Sequence, residues 1–221
     1  MKIIREKRKT LSIRIGKGGE LLVKVPKKVS QKIILDFLEK HKAWISEKQN
    51  LFEENSQKFE IGEKFLFFGE EFDLCELEAK NDKNVLIFDS KKFFTNTKNP
   101  EILRELFIKF YKKEAKKYIS KKISEICELL NLSFNKLKIT SASSRWGSCN
   151  SKKNISFSFR LILAPKKSID YVIVHELAHL SEMNHSKAFW DLVQNYSDQI
   201  GIGSYKENKK WLMQNHLKTN F

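Results

Sequence analysis

The chain of 221 residues contains little cysteine and no long apolar run. Its three cysteines, Cys75, Cys127 and Cys149, are odd in number, widely spaced and without a C-x-x-C pair, which excludes a disulfide framework and indicates reduced thiols. The apolar runs are far shorter than the roughly 20 residues that span a membrane, and no apolar core follows the charged N-terminus as it would in a signal peptide. The composition therefore predicts a soluble protein of the cytoplasm.

Internal repeats and low-complexity tracts are also absent, and 41% of the residues are hydrophobic. A chain of this length and composition can bury a substantial core without cross-links to hold it together. It fits one compact unit or two small lobes.

Basic side chains outnumber acidic ones by 42 to 27, which gives a net charge of +15. Residues 1–50 carry 14 basic and 5 acidic side chains, whereas residues 51–100 carry 7 and 11. A basic N-terminal lobe can hold nucleic acid by releasing phosphate counterions. A solvated, lysine-rich surface explains the same charge, because the aromatic residues here are not interleaved with the basic ones in a nucleic-acid motif. Both interpretations stay open.

The first hundred residues favour short strands and one helix. Apolar residues alternate over residues 10–25 around Gly16–Gly19, which predicts a two-stranded hairpin with a glycine turn. Ser30 is placed to cap a helix that continues to about Phe52, with apolar residues at three- and four-residue spacings. Short apolar stretches between residues 59 and 94 are typical of strands, and we interpret their aromatic side chains as core.

The second half of the chain favours a long helix and a small sheet. Pro100 opens a helical pattern that reaches about Leu130. Two alternating segments, Leu137–Thr140 and Ile155–Phe159, predict strands of a small antiparallel sheet. The residues between them, among them Arg145–Cys149, are typical of a turn-rich loop.

These elements together predict an α+β fold with two lobes. A β-rich lobe of hairpin, helix and strands is expected over residues 1–98. A helical lobe that contains the small antiparallel sheet is expected over residues 99–221. The boundary is predicted at Thr97–Pro100, where a proline follows a short polar segment.

A run of helical character contains the sequence His175-Glu176-Leu-Ala-His179. At 3.6 residues per turn the two histidines project from one helix face on successive turns, so both imidazoles can bind one metal ion at about 2 Å. Pro165 and Ser168 supply a stop and an N-cap just upstream, which favours a helix here. The H-E-x-x-H pattern therefore predicts the metal site of a hydrolase.

Glu176 lies one step around the helix from the histidines and is expected beside the metal ion. A carboxylate there can hold a water molecule and take its proton, while the ion lowers the pKa of that water from about 15.7 to about 7. The alternative is a core helix with two incidentally spaced histidines. It would bury a glutamate and two imidazoles without partners, at a cost of several kcal/mol.

A catalytic zinc site needs a third protein ligand and one open position. Glu182, His185 and Asp191 are the candidates downstream of the motif. On a continuing helix Glu182 would stand about 10 Å from His175 along the axis, which stretches a single tetrahedral site. His185 instead requires the chain to leave the helix at Met183-Asn184, where asparagine tolerates the left-handed conformation that ends helices. Spacing therefore favours His185.

Three segments of the second half carry a likeness to a known family. They are Arg145-Trp-Gly-Ser-Cys149, Arg160-Leu-Ile-Leu-Ala-Pro165, and Ile169-Asp-Tyr-Val-Ile-Val-His-Glu-Leu-Ala-His179 with its continuation through Asn184-His-Ser186 to Phe189-Trp190. With these segments the chain resembles the YgjP-like metallopeptidases, which are related to the SprT-like zinc proteases. The hairpin, Trp44-Ile45 and Phe68-Gly69 extend the resemblance over nearly the whole chain.

The resemblance implies a zincin-like fold for the helical lobe, with a backing helix, an active-site helix and a small sheet. It also implies that His175, His179 and His185 bind one zinc ion and that Glu176 is the catalytic base. Cys149 is an alternative thiol ligand, which a histidine at position 185 makes unnecessary.

The segment Arg145–Cys149 is a second candidate for function. Arg145 could stabilise an oxyanion that develops on the substrate, and Trp146 could form a wall of the substrate cleft. A structural role is the alternative, in which Trp146 belongs to the core and Gly147 turns the chain.

Three functions follow from these observations. The first is a zinc peptidase that cleaves a peptide or protein substrate, with the extended substrate paired to the edge of the sheet. The second is a protease guided by the basic lobe to DNA-bound or crosslinked protein. The third is a basic nucleic-acid-binding module with a structural metal, which would require a fourth protein ligand.

Overall fold

The computed structural model describes residues 1–16, 19–55, 57–78 and 83–215. These residues form helices and three small mixed sheets, which confirms the predicted α+β class. The chain divides into two compact units, one ending at Gln57 and the other beginning at Lys58. The strands predicted between residues 59 and 94 therefore belong to the second unit.

The first unit consists of a three-stranded sheet and two helices. Its elements are β1 (Lys2–Glu6), β2 (Ser12–Ile15), β3 (Leu21–Pro26), α1 (Gln31–Lys40) and α2 (Lys42–Asn55). The central strand β3 pairs antiparallel with β2, which confirms the predicted hairpin, and parallel with β1. Val23, Val25 and Ile34 form the buried core of this unit.

The single helix predicted after Ser30 is interrupted at His41. Ser30 caps α1 as predicted, since its hydroxyl accepts a hydrogen bond from a backbone N–H of the first turn at 3.4 Å. At the other end, Nδ1 of His41 lies 2.7 Å from the carbonyl oxygen of Phe37. This ring-to-backbone hydrogen bond accompanies the end of α1, and α2 begins one residue later.

The second unit opens with a four-stranded sheet. Its strands are β4 (Lys64–Phe67), β5 (Glu70–Glu76), β6 (Leu86–Phe88) and β7 (Phe93–Thr95), in the order β4-β5-β7-β6. Phe65 and Phe93 are fully buried against Phe107, with ring centroids 3.9 Å and 5.0 Å from that of Phe107. The interpretation of these aromatic residues as core is confirmed.

The long predicted helix is observed as α3 (Pro100–Leu129). The side chain of Asn99 caps it by accepting hydrogen bonds from Glu101 and Ile102 N–H groups at 3.0 and 3.2 Å. Its buried residues recur mostly at every fourth position, from Leu103 to Ile126, so one stripe packs on the core over about 35 Å. Within the described residues, no helix combines the length and apolar content needed to cross a membrane.

The small sheet beyond α3 differs from the predicted one. Its strands are β8 (Lys136–Thr140), β9 (Gly147–Cys149) and β10 (Asn154–Ser158), in the order β8-β10-β9. The predicted antiparallel sheet is mixed, because β10 pairs parallel with β8 and antiparallel with β9. The turn-rich loop was also predicted wrongly in part, since residues 147–149 of it form the edge strand β9.

Three helices complete the second unit after a 3₁₀ helix at Phe159–Leu163. They are α4 (Lys166–Ala178), α5 (Lys187–Gln199) and α6 (Tyr205–Gln214). Pro165 is the N-cap of α4, so the prediction of Ser168 at that position is wrong. Ser168 lies inside the helix, and its hydroxyl donates to Oδ1 of Asn208 on α6 at 3.2 Å.

Candidate metal centre

Helix α4 carries the H-E-x-x-H sequence through the core of the second unit. Its residues from Ser168 to Val174 are all buried, and His179 ends it as the C-cap. Asp170, only 6% exposed, accepts a hydrogen bond from the hydroxyl of Tyr118 on α3 at 2.9 Å and lies 3.8 Å from Nζ of Lys122. These contacts fix α4 against the long helix, so the histidines at its C-terminal end have a rigid support.

Burial raises the pKa of Asp170 to about 6, while the Tyr118 hydrogen bond and the Lys122 charge oppose that rise. Because the folded pKa lies above the unfolded value, the folded protein holds this proton more tightly. The stabilisation that results is complete below about pH 4 and is lost as the pH rises through 6.

Asp170→Asn removes this titration but keeps an oxygen that accepts from Tyr118. The free energy of unfolding of the variant, minus that of the wild type, should therefore increase by roughly 2–3 kcal/mol from pH 4 to pH 7. Urea denaturation of both proteins at the two pH values measures this difference, and titrations common to both cancel. A difference that stays constant with pH would show that Asp170 has an ordinary pKa.

The structure brings three histidines together at the end of α4. One ligand nitrogen from each of His175, His179 and His185 lies within 4.8 Å of the others, and Nε2 of His175 is 3.2 Å from Nε2 of His185. Nitrogens bound at about 2.0–2.1 Å to one tetrahedral ion stand about 3.3 Å apart. The donor set therefore fits a zinc ion, and no other group of three possible ligands occurs in the part of the chain that the structure describes.

A hydrogen bond orients one of these rings. Nδ1 of His179 lies 2.9 Å from the backbone carbonyl oxygen of Glu182, so this nitrogen carries the proton and donates it. The lone pair is then on Nε2, which is the atom left for a metal ion. The backbone carbonyl of Glu182 thus orients the His179 ring, whereas the Glu182 carboxylate lies outside the ligand group.

His185 comes from the segment between α4 and α5. The chain leaves α4 after Ala178, and the amide oxygen of Asn184 accepts a hydrogen bond from Ser186 N–H at 3.2 Å. Ser186 then caps α5 as the sequence predicted, by accepting from a backbone N–H of the first turn at 3.3 Å. Asp191, one turn into α5, is exposed and lies outside the ligand group.

Glu176 is buried beside the histidines, with 5% of its surface exposed. Burial raises its pKa to about 8, and the positive charge of Arg145 opposes that rise. Strand β9 lies against the same carboxylate: a Cβ atom added to Gly147 would come within 2.6 Å of Oε1 and 2.9 Å of Cδ. Glycine at position 147 therefore leaves room for the Glu176 side chain, and the residue lies in strand β9 rather than in a turn.

A pocket of about 530 Å³ opens next to His175 and Glu176. Arg145 and Trp146 line it, as do Tyr171 and Val172 of α4. Trp146 is half-buried and lines the pocket. Its role as a wall of the substrate cleft stays a prediction.

Buried hydrogen bonds hold the chain that leads to Arg145. Nη1 of Arg160 donates to the carbonyl oxygens of Ser141 and Ala142 at 2.9 and 3.3 Å. Ser158 donates its hydroxyl to Ala142 at 2.6 Å, and its backbone N–H donates to Trp146 at 2.8 Å. Because these partners lie in or next to the 3₁₀ helix, the pocket wall is anchored to the core.

The contribution of α6 to the pocket was not predicted from the sequence. Lys209, Leu212 and Met213 of α6 line the pocket. A signal for this helix exists, since Ser204 and Glu207 have the spacing of a capping box, and the Ser204 hydroxyl accepts from a backbone N–H at 3.3 Å.

Aromatic rings connect α6 to the histidines. Trp190 of α5 stacks with Tyr205 and with His185, with centroids 5.1 and 5.6 Å away and interplanar angles of 17° and 22°. Tyr205 also stacks on Tyr171 of α4 at 6.4 Å. These stacked rings connect α4, α5 and α6 next to the three histidines.

Cys149 is not part of the ligand group. Its sulfur lies 3.7 Å from the carbonyl oxygen of Asn150, and burial, with the nearby charge of Glu176, raises the pKa of its thiol. A thiol that resists deprotonation is a poor metal ligand, so the alternative that Cys149 binds the ion loses support.

Comparison with known families agrees with this geometry. Residues 9–215 match the family model described as the YgjP-like metallopeptidase domain. No curated protein and no solved structure gives a significant match. Because the family model covers nearly the whole chain, the resemblance noted in the sequence is confirmed, and this chain belongs to the YgjP-like metallopeptidase family.

Proposed function

We propose that the protein is a zinc-dependent peptidase in which His175, His179 and His185 hold one ion and Glu176 is the general base. The observation that carries this proposal is the buried carboxylate of Glu176 beside three convergent imidazoles and an open pocket. When bound, zinc supplies Lewis acidity, which polarises a carbonyl and lowers the pKa of water to about 7.

Glu176 moves the proton in this proposal. Its carboxylate accepts a proton from the attacking water and delivers it to the nitrogen of the broken peptide bond. The base must be ionised for the first step. Burial alone raises the pKa of Glu176, whereas Arg145 and a bound cation both favour the carboxylate form.

Strand β9 offers a surface for the substrate. It is an edge strand among the described residues and has a strand neighbour on one side only, β10. An extended peptide can add to such an edge by backbone hydrogen bonds. Since Gly147 in this strand lies against Glu176, a peptide paired there would pass close to the base.

The pocket next to β9 suits an apolar side chain of the substrate. Val172, Leu212, Met213 and Trp146 give it mostly apolar walls. We infer that residues near the cleaved bond are large and apolar, and unfolded or extended segments expose such residues.

A cleavage screen against unfolded proteins and mixed peptide libraries tests the proposal. The protein should cleave with zinc present, lose activity on chelation and regain it when zinc is restored. The His175→Ala variant should lose bound zinc and cleavage together. Cleavage that survives both chelation and this substitution would refute a zinc-dependent reaction.

Gly147→Ala should lower kcat/KM by about 100-fold, because the added methyl group displaces the base by a fraction of an ångström or more. Zinc content, measured by mass spectrometry, should be unchanged. Ser148→Ala is the matched control. Ser148 is the next residue of the same strand, and its hydroxyl is hydrogen-bonded to that of Ser156 at 2.8 Å. If Gly147→Ala cleaved at the wild-type rate, the close contact between β9 and Glu176 would have no catalytic importance.

The remaining alternatives are not equally supported. A structural metal needs a fourth protein ligand, and the ligand group among the described residues has three members. The open position supports a catalytic ion. Guidance to DNA-bound protein by the basic lobe stays a prediction, which binding measurements at increasing salt concentration can test.

A further inference from the structure

Lys209 places a second positive charge at the pocket. It lines the pocket together with Arg145, His175 and Glu176. Its ammonium lies 4.4 Å from the ring centroid of Trp190, a cation–π distance. Trp190 itself stacks with His185 and with Tyr205, and Tyr205 precedes Lys209 by one turn of α6. The position of the ammonium is therefore set by the aromatic stack.

No carboxylate forms an ion pair with Lys209 among the residues that the structure describes. The charge of the ammonium is therefore not neutralised by a described side chain.

A lysine beside a metal centre opposes the binding of a cation there. Arg145 is the other cation that lines the pocket, and Glu176 is the one carboxylate among the described lining residues. Two positive charges and one negative charge therefore line the pocket. Charge of this kind stabilises an anion that forms during a reaction.

We propose that Lys209 is a catalytic residue that stabilises the negative oxygen formed when water adds to the substrate carbonyl. This role rests on the proposed peptidase function. As the bond from the water oxygen to the carbonyl carbon forms, the π electron pair moves onto the carbonyl oxygen, and the ammonium donates a hydrogen bond to it. When the C–N bond breaks, the pair returns to the C=O bond, and the nitrogen receives the proton held by Glu176. Arg145, earlier predicted for this role, then acts on the base.

Lys209→Met keeps the apolar stem and removes the charge, so it tests the role directly. We expect kcat to fall by about 100- to 1,000-fold with little change in KM. Lys209→Arg should retain a larger share of kcat. Lys210→Met is the matched control, because Lys210 is exposed on the same helix and does not line the pocket. Thermal melting and zinc content should match the wild type in all three variants.

A binding experiment separates this role from the proposed function. Zinc-loaded wild type and Lys209→Met are titrated calorimetrically with a phosphinic peptide, an anionic mimic of the tetrahedral species, and with a matched hydroxyethylene peptide, which is neutral. The variant should bind the phosphinic peptide about 100-fold more weakly and the neutral peptide equally well. If the wild type cleaves no peptide, the peptidase function fails, and this titration still decides the role of Lys209.

Two results would overturn the inference. One is equal affinity of wild type and Lys209→Met for the phosphinic peptide. The other is a loss of activity of Lys209→Met that occurs only with substrates that have a free C-terminal carboxylate and not with their amidated forms. This result would show that Lys209 binds the C-terminal carboxylate of the substrate.

Discussion

The Glu176→Gln variant should bind about one equivalent of zinc per chain and lose peptide hydrolysis by at least about 100- to 10,000-fold. Glutamine has nearly the same shape as glutamate, so it fits beside Gly147 and leaves the three histidines in place. Its amide can hold a water molecule by hydrogen bonds but cannot accept a proton from it. Zinc content by mass spectrometry and kcat/KM on one peptide measure the two effects separately.

Two results would contradict this role of Glu176. If Glu176→Gln lost its zinc, the carboxylate would be part of the ligand set. If it retained hydrolysis within about tenfold of the wild type, another group would be the base. Because Glu176 is buried, the fold of the variant must be checked as well. The melting temperature of the same samples does this.

His185→Ala should lower zinc affinity by several orders of magnitude. The substitution leaves two imidazoles on α4, which is below the three protein ligands of a catalytic zinc site. His185 is exposed, so its truncation should cost the fold little. Competition with a chromogenic chelator gives the dissociation constant of each variant.

Glu182→Ala and Asp191→Ala are the matched controls, since both were candidate ligands in the sequence. Glu182 contributes its backbone carbonyl to His179, which alanine preserves. Neither change should weaken zinc binding by more than about tenfold. A larger loss for either carboxylate than for His185→Ala would overturn the ligand assignment.

Long periodic elements could be predicted well from the sequence. The stripe on α3 repeats over many turns, and Pro100 with its cap marks the start. The convergence of His175, His179 and His185 was also anticipated, because two ligands share a helix face and the third needs only a short turn. Cap residues such as Ser186 act on the next three residues, so their effect can be read locally.

Other elements could not be predicted because their cause lies elsewhere in the fold. Strand β9 is three residues long and consists of glycine, serine and cysteine, which give no alternating apolar pattern. Alternation also does not distinguish parallel from antiparallel pairing, so the mixed sheet was missed. The need for glycine at 147 arises from Glu176, far along the chain, and no local pattern reports such a contact.

The unequal burial of the three histidines bears on how an ion enters and leaves. His179 is 9% exposed on a buried helix, whereas His185 lies on an exposed segment between two helices. Ion exchange should therefore begin with dissociation of the His185 imidazole, while the pair on α4 keeps its spacing and retains the ion briefly. Residues 180–186 are mostly exposed, so we expect this segment to open locally in the apo protein before the buried helices do. An ion at 100 times its dissociation constant would stabilise the closed form by about 2.7 kcal/mol, so metal supply would also control how readily proteases attack this segment.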